Sequence, residues 1–133
     1  MRRHLPLQAF TRNAVVMLAI AGSVGACGSG EPVTLLTGNP QPGCYLANTT
    51  GMLIIDAQAG TAIVSEDMAR TTVPVRWPAG YTGRRNGVGV EVVDAAGRVV
   101  ARTGQRYELL GGYNGDGTWA ACVGGVYPPL NFN

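Results

Sequence analysis

The chain has 133 residues, room for one domain at most. Its ten basic side chains are all arginine. Three of these, Arg2, Arg3 and Arg12, lie in the first 26 residues. The remaining 107 residues therefore carry seven arginines against eight carboxylates, 7 − 8 = −1, which excludes the basic footprint of a nucleic-acid-binding domain.

Residues 1–13 carry Arg2, Arg3, His4 and Arg12 and no acid, the pattern of a positively charged n-region. Residues 14–22 are apolar but too few to span a bilayer, which takes about 18–20. Gly22, Ser23 and Gly25 then interrupt the run. Val24-Gly25-Ala26-Cys27 resembles the lipobox of bacterial lipoproteins, in which small residues precede a cysteine that takes a diacylglyceryl group as a thioether. The expectation is a signal peptide over 1–26 and a lipid anchor on Cys27, with the domain on the outer face of the cytoplasmic membrane. Ordinary secretory cleavage after Ala26 or Ser23 is the competing reading, and Arg2-Arg3 leaves Sec or Tat export open.

Three cysteines in an exported chain leave one over. With Cys27 given to lipid, Cys44 and Cys122 remain as a pair, and an oxidising compartment permits a disulfide. A loop that long is stabilised by about 4–5 kcal/mol in the chain-entropy account. Metal binding is a poor alternative, because no His follows position 4 and the cysteines lack close ligand spacing.

Residues 27–43 are punctuated by Gly, Pro and Asn, and only Val33, Leu35 and Leu36 among them can pack. They read as a flexible tether reaching about 20–24 Å, with docking of Leu35-Leu36 as the alternative. A β domain is expected over 44–133. The apolar runs 51–56, 61–64, 71–77, 87–93, 98–102, 106–110 and 118–123 are strands rich in β-formers. Asp94-Ala-Ala-Gly97 is the clearest hairpin turn, and Asp56-Ala-Gln-Ala-Gly60 resembles it. Residues 111–117 read as a glycine-rich loop, and Ser65–Arg70 as a single helical turn with Ser65 as its cap. The whole predicts an all-β fold, a small antiparallel barrel or sandwich of roughly six to seven strands, with the barrel preferred because closure removes sheet edges.

Two longer stretches, residues 75–83 (Val-Arg-Trp-Pro-Ala-Gly-Tyr-Thr-Gly) and 90–101, with Leu109-Leu-Gly-Gly112, resemble small actinobacterial envelope lipoproteins. That resemblance covers about half of residues 27–133 and implies an OB-like β-barrel and an envelope location. It implies no activity and no site residues.

Catalytic types are sparse. After Cys27 there is no His and no Lys, and only Ser29 and Ser65 supply serine hydroxyls, so Ser-His-Asp and Cys-His catalysis are excluded. Adjacent Glu66-Asp67 reads as a solvated turn, Glu91 and Glu108 as partners of nearby arginines instead of a facing acid–base pair, and Asn114-Gly-Asp-Gly117 as a turn instead of a calcium loop. No catalytic residue, cofactor or metal is assigned. The one candidate ligand cluster is Arg84 and Arg85, which could hold an anion bidentately, with Trp77 and Tyr81 beside them for stacking. The leading expectation is a non-enzymatic interaction module that contacts an envelope protein or a wall glycan. Binding of a small anionic or glycan ligand at Arg84/Arg85 comes second, and a carboxylate-based hydrolase is remote.

Overall fold

The computed structural model describes residues 30–38 and 44–128. The expected signal peptide over 1–26 and the expected lipid attachment at Cys27 lie outside the described residues. Nine strands are formed: β1 (Pro32–Val33), β2 (Ala47–Asp56), β3 (Gly60–Ser65), β4 (Thr72–Arg76), β5 (Thr82–Asn86), β6 (Gly89–Val93), β7 (Val99–Arg102), β8 (Arg106–Tyr113) and β9 (Trp119–Tyr127). The fold is all-β. Five strands close a barrel in the order β2-β3-β4-β9-β8, and the other four make a sheet in the order β1-β5-β6-β7. The barrel matches the five-stranded Greek-key barrel of OB-type domains. One pair breaks the expected antiparallel pattern: β4 and β9 run parallel, Val75 beside Trp119. The sheet is an insertion between β4 and β8 (residues 82–102), completed by β1 from the N-terminal side.

All seven expected strands are present, and β1 and β5 are additional. Strand β5 contains Arg84-Arg85-Asn86, which fall between the expected runs 71–77 and 87–93. It pairs with β6 through a two-residue turn, Gly87-Val88, between Asn86 and Gly89. Gly87 has φ +59°, and a glycine with positive φ at the first central position suits a type II′ hairpin. The Asp94 turn forms as expected. The Gly97 amide donates to the Asp94 carbonyl (3.0 Å) and the Asp94 amide to the Arg98 carbonyl (2.8 Å). The expected loop at 111–117 is shorter than read, because β8 runs on through Tyr113. Its turn, Asn114–Thr118, repeats the same two bonds at 3.0 and 2.8 Å.

Ser65–Arg70 is not helical. Ser65 ends β3, and its hydroxyl shares a buried 2.7 Å hydrogen bond with that of Thr49. Ala69 and Arg70 both have positive φ, 51° and 61°, values a right-handed helix cannot contain. The turn closes instead through the Ser65 amide on the Thr71 carbonyl (2.9 Å) and the Thr50 amide on Asp67 Oδ2 (2.8 Å).

Residues 30–38 do not form a free tether: the alternative, docking of Leu35-Leu36, is what the structure shows, and the whole segment belongs to the fold. The Gly30 amide donates to the Arg85 carbonyl (2.7 Å) and the Arg85 amide to the Glu31 carbonyl (2.7 Å). Further along, Leu36 donates to Ala59 (2.9 Å), Trp77 to Leu36 (2.8 Å) and Gly38 to Trp77 (2.9 Å). Leu35 is buried in the core cluster with Leu53, Ile63, Val75, Trp77, Tyr81, Val92 and Leu109. Its seat is cut by two glycines. A Cβ on Gly60 of the barrel would come within 2.9 Å of Leu35 Cδ2, and one on Gly83 of the sheet within 3.0 Å of Leu35 Cγ and Cδ2. Leu35 therefore wedges between barrel and sheet, where only glycine on each side leaves room.

Cys44 and Cys122, separated by 78 positions in sequence, are joined by a disulfide with Cα atoms 5.5 Å apart. It ties the entry of β2 to β9, next to the point where β8 and β9 slip register.

Two outcomes follow for equilibrium unfolding. Leu35→Ala is expected to cost about 2–5 kcal/mol, the range for truncating a buried leucine, and Gly83→Ala to destabilise through the same seat. A tether would show neither effect. Replacing Cys44 and Cys122 together by alanine is expected to cost about 2–5 kcal/mol, read from the shift of the urea midpoint.

Candidate functional site

The arginine–aromatic cluster does not assemble. Neighbouring residues of a strand point to opposite faces, so Arg84 and Arg85 cannot clamp one anion. Arg84 stands opposite Glu91, which stands opposite Arg102. Glu91 Oε2 lies 3.3 Å from Arg84 Nη2 and 3.8 Å from Arg102 Nε, a cross-strand charge ladder on the outer face of the sheet. Arg85 is opposite Val90, on the face that carries Val92.

Trp77 and Tyr81 are also committed elsewhere. Both are buried, their rings stack on each other with centroids 6.2 Å apart, and Trp77 Nε1 donates to Thr61 Oγ1 at 2.8 Å. They form the hinge of the core between barrel and sheet. Their rings are turned into the core instead of standing beside the arginines.

The carboxylates are spoken for in the same way. Glu66 takes a two-pronged bond from Arg106, Nε to Oε1 and Nη2 to Oε2, each 2.6 Å. Glu108 accepts from Asn48 Nδ2 at 2.8 Å and lies in the barrel, while Glu91 lies in the sheet, so the two do not face each other. Asp116 accepts from the Thr118 hydroxyl (2.7 Å) and amide (3.0 Å) and from Arg76 (3.1 Å), which makes it a turn brace. Among the described residues no group of three or more His, Cys, Asp or Glu is placed to hold a metal, and no helix is long and apolar enough to cross a membrane.

Two surface features remain. An open hollow of about 440 Å³ lies between the β6–β7 turn and β9, lined by Tyr81, Asp94, Ala95, Arg98, Val100 and Val123 among others. Its charged groups are already bonded, Arg98 Nε to Asp94 Oδ2 at 3.1 Å, so it offers apolar walls and no free ion. The second feature is an apolar surface around the disulfide. Leu46 is 93% exposed and Val123 75%, with Tyr45 and Tyr113 also exposed. Tyr45 covers Gly112, where a Cβ would meet its ring at 3.0 Å, and the Tyr45 carbonyl lies 3.8 Å from Cys122 Sγ. The sequence signal for this surface is the apolar Tyr45-Leu46 directly after Cys44, ahead of the first expected strand. Tyr113 is thus exposed on this surface, whereas Trp77 and Tyr81 are buried.

One buried polar atom lacks a partner among the described residues, Trp119 Nε1. It lies against the backbone of Gly111, 2.8 Å from where a Cβ would sit. It marks tight packing where β8 meets β9.

No protein-family model matches the chain, and neither a curated protein nor a solved structure matches it.

Three carboxyls are held below their ordinary values: Glu66 chiefly by hydrogen bonds from Arg106, Asp94 by the Arg98 amide, and Asp116 by the Thr118 hydroxyl. A carboxyl whose folded pKa is depressed contributes stability that is full above its unfolded pKa and is lost as pH falls through the folded one. Thermal unfolding midpoints should therefore hold steady from neutral pH down to about 5 and fall below about 4. Asp94→Asn should lower the midpoint at neutral pH and flatten the acid limb.

Proposed function

We propose that this chain is a lipid-anchored module of the bacterial envelope, without catalytic activity, that contacts another envelope protein or a wall glycan. The observation that carries the reading is the apolar surface of Tyr45, Leu46, Tyr113 and Val123 held around the disulfide. Monomeric domains keep large contiguous apolar surface covered, and an exposed patch bordered by a rigid covalent link suits a contact face. Aromatic residues on such a face are the types that dominate binding energy at protein interfaces.

The anchor is supported by Val24-Gly25-Ala26-Cys27 behind a short apolar run and by the odd cysteine count. The absence of His and Lys after Cys27, together with carboxylates engaged by arginines and turn amides, favours contact over catalysis.

The test has two readouts. Protein taken from native membranes should show the mass of residues 27–133 plus a diacylglyceryl group, and Cys27→Ala should move it out of the membrane fraction. A photo-crosslinking residue at position 46 or 123 should then give a defined adduct with an envelope component in cells, while one at Gln58, exposed in the β2–β3 turn, should not. Unmodified Cys27 would overturn the anchor. Equal or absent adducts at the three positions would overturn the contact face.

A further inference from the structure

If Cys27 carries lipid, the structure also dictates which end of the domain meets the membrane. Only Gly28 and Ser29 separate Cys27 from Gly30. Gly30 is hydrogen-bonded to Arg85 at the end of β5, and Arg85 returns a bond to Glu31, both 2.7 Å. Three residue steps extend at most about 11 Å, whereas a domain of this size is about 30 Å or more across. The lipid attachment point therefore lies within a third of the domain's width from the β5–β6 hairpin. No long tether lets the domain tumble away, because residues 30–38 are bound along the fold instead of spanning free space.

That end is built for an interface. Val88, at the tip of the β5–β6 turn, is 94% exposed, an apolar side chain projecting from a two-residue turn with nothing packed on it. Around it stand Arg84, Arg85 and Arg102, against Glu31 and Glu91, for a local sum of 3 − 2 = +1. The chain from Cys27 onward sums to −1, so the rest carries −2. The domain is thus electrically polarised, with its positive end beside the anchor. Bilayers rich in anionic lipid attract arginines held at the headgroup level, and a lone valine at a hairpin tip can enter the interface.

We propose that the β5–β6 end of the four-stranded sheet lies against the lipid surface, with Val88 in the interface and Arg84, Arg85 and Arg102 among anionic headgroups. This rests on the lipid-anchor reading above. From Gly30 to Gly38 the bound segment leads away from that end by up to about 26 Å, to Trp77 and Arg76. The docked end is thereby separated from the opposite end of the bound segment, and the surface around Cys44–Cys122 is left free for a partner.

The test uses the full protein extracted from membranes and reconstituted into vesicles of phosphatidylcholine, with or without phosphatidylglycerol. A fluorescent residue is placed at position 88 in one preparation and at position 46 in another. A quencher carried on the upper acyl chain should quench position 88 several-fold more than position 46, more so with phosphatidylglycerol. Hydrogen exchange of residues 84–90 should slow on reconstitution with no change around residues 44–48. Charge reversal at Arg85 and Arg102 together should remove the phosphatidylglycerol dependence. Lipidated protein with position 88 unquenched, or with position 46 quenched equally, overturns the orientation and leaves the anchor standing. Protein without lipid overturns both.

Discussion

The constraint on which the rest of this molecule depends is the seat of Leu35. A five-stranded barrel and a four-stranded sheet meet along a seam, and one leucine from the N-terminal segment fills it, between Gly60 on the barrel and Gly83 on the sheet. Close packing of this kind leaves little tolerance for a missing or added methylene. The same segment adds a row of backbone bonds that spans the seam. Leu36 bonds Ala59 of the β2–β3 turn, and Gly30 bonds Arg85 of the sheet. The Trp77–Tyr81 stack lies in the same core, with the Trp77 backbone bonded to Leu36 and Gly38 of that segment. Barrel and sheet are thereby one packed unit.

The disulfide acts at a different place and by a different means. Cys44–Cys122 limits the unfolded chain more than it shapes the folded one, and it does so where β2 enters and where β8 and β9 change register. That region also holds the exposed apolar side chains Tyr45, Leu46 and Val123. A covalent brace under an apolar surface lowers the entropy lost when that surface is covered by a partner.

How far the residues announced this arrangement depends on whether the deciding contact is local. Seven of the nine strands and the Asp94 turn are legible because alternation, β-branching and turn chemistry act within a few residues. The cysteine pairing was legible from parity. Strand β5 was hidden because Arg84-Arg85-Asn86 offers no apolar alternation, yet Gly87-Val88 held the hairpin signal. Strand β1 and the wedge were hidden for a deeper reason. Nothing near Leu35 shows that Gly60 and Gly83, 25 and 48 residues further on, leave a slot for it. The aromatic cluster failed similarly, since the partner of Trp77 Nε1 is Thr61, sixteen residues earlier. The Ser65 turn was misjudged because cap chemistry and strand-end chemistry use the same residue types.

The central claim is that residues 30–38 are a structural part of the domain and hold it rigidly from its N-terminal side. Native-state hydrogen exchange on the amides of Gly30, Leu36 and Gly38, and of their partners Trp77 and Arg85, tests it most directly. The account predicts that all five are protected and open with free energies near that of the whole domain. Exchange of Gly30, Leu36 and Gly38 at the rate of an unstructured chain would contradict it, whatever the barrel itself does.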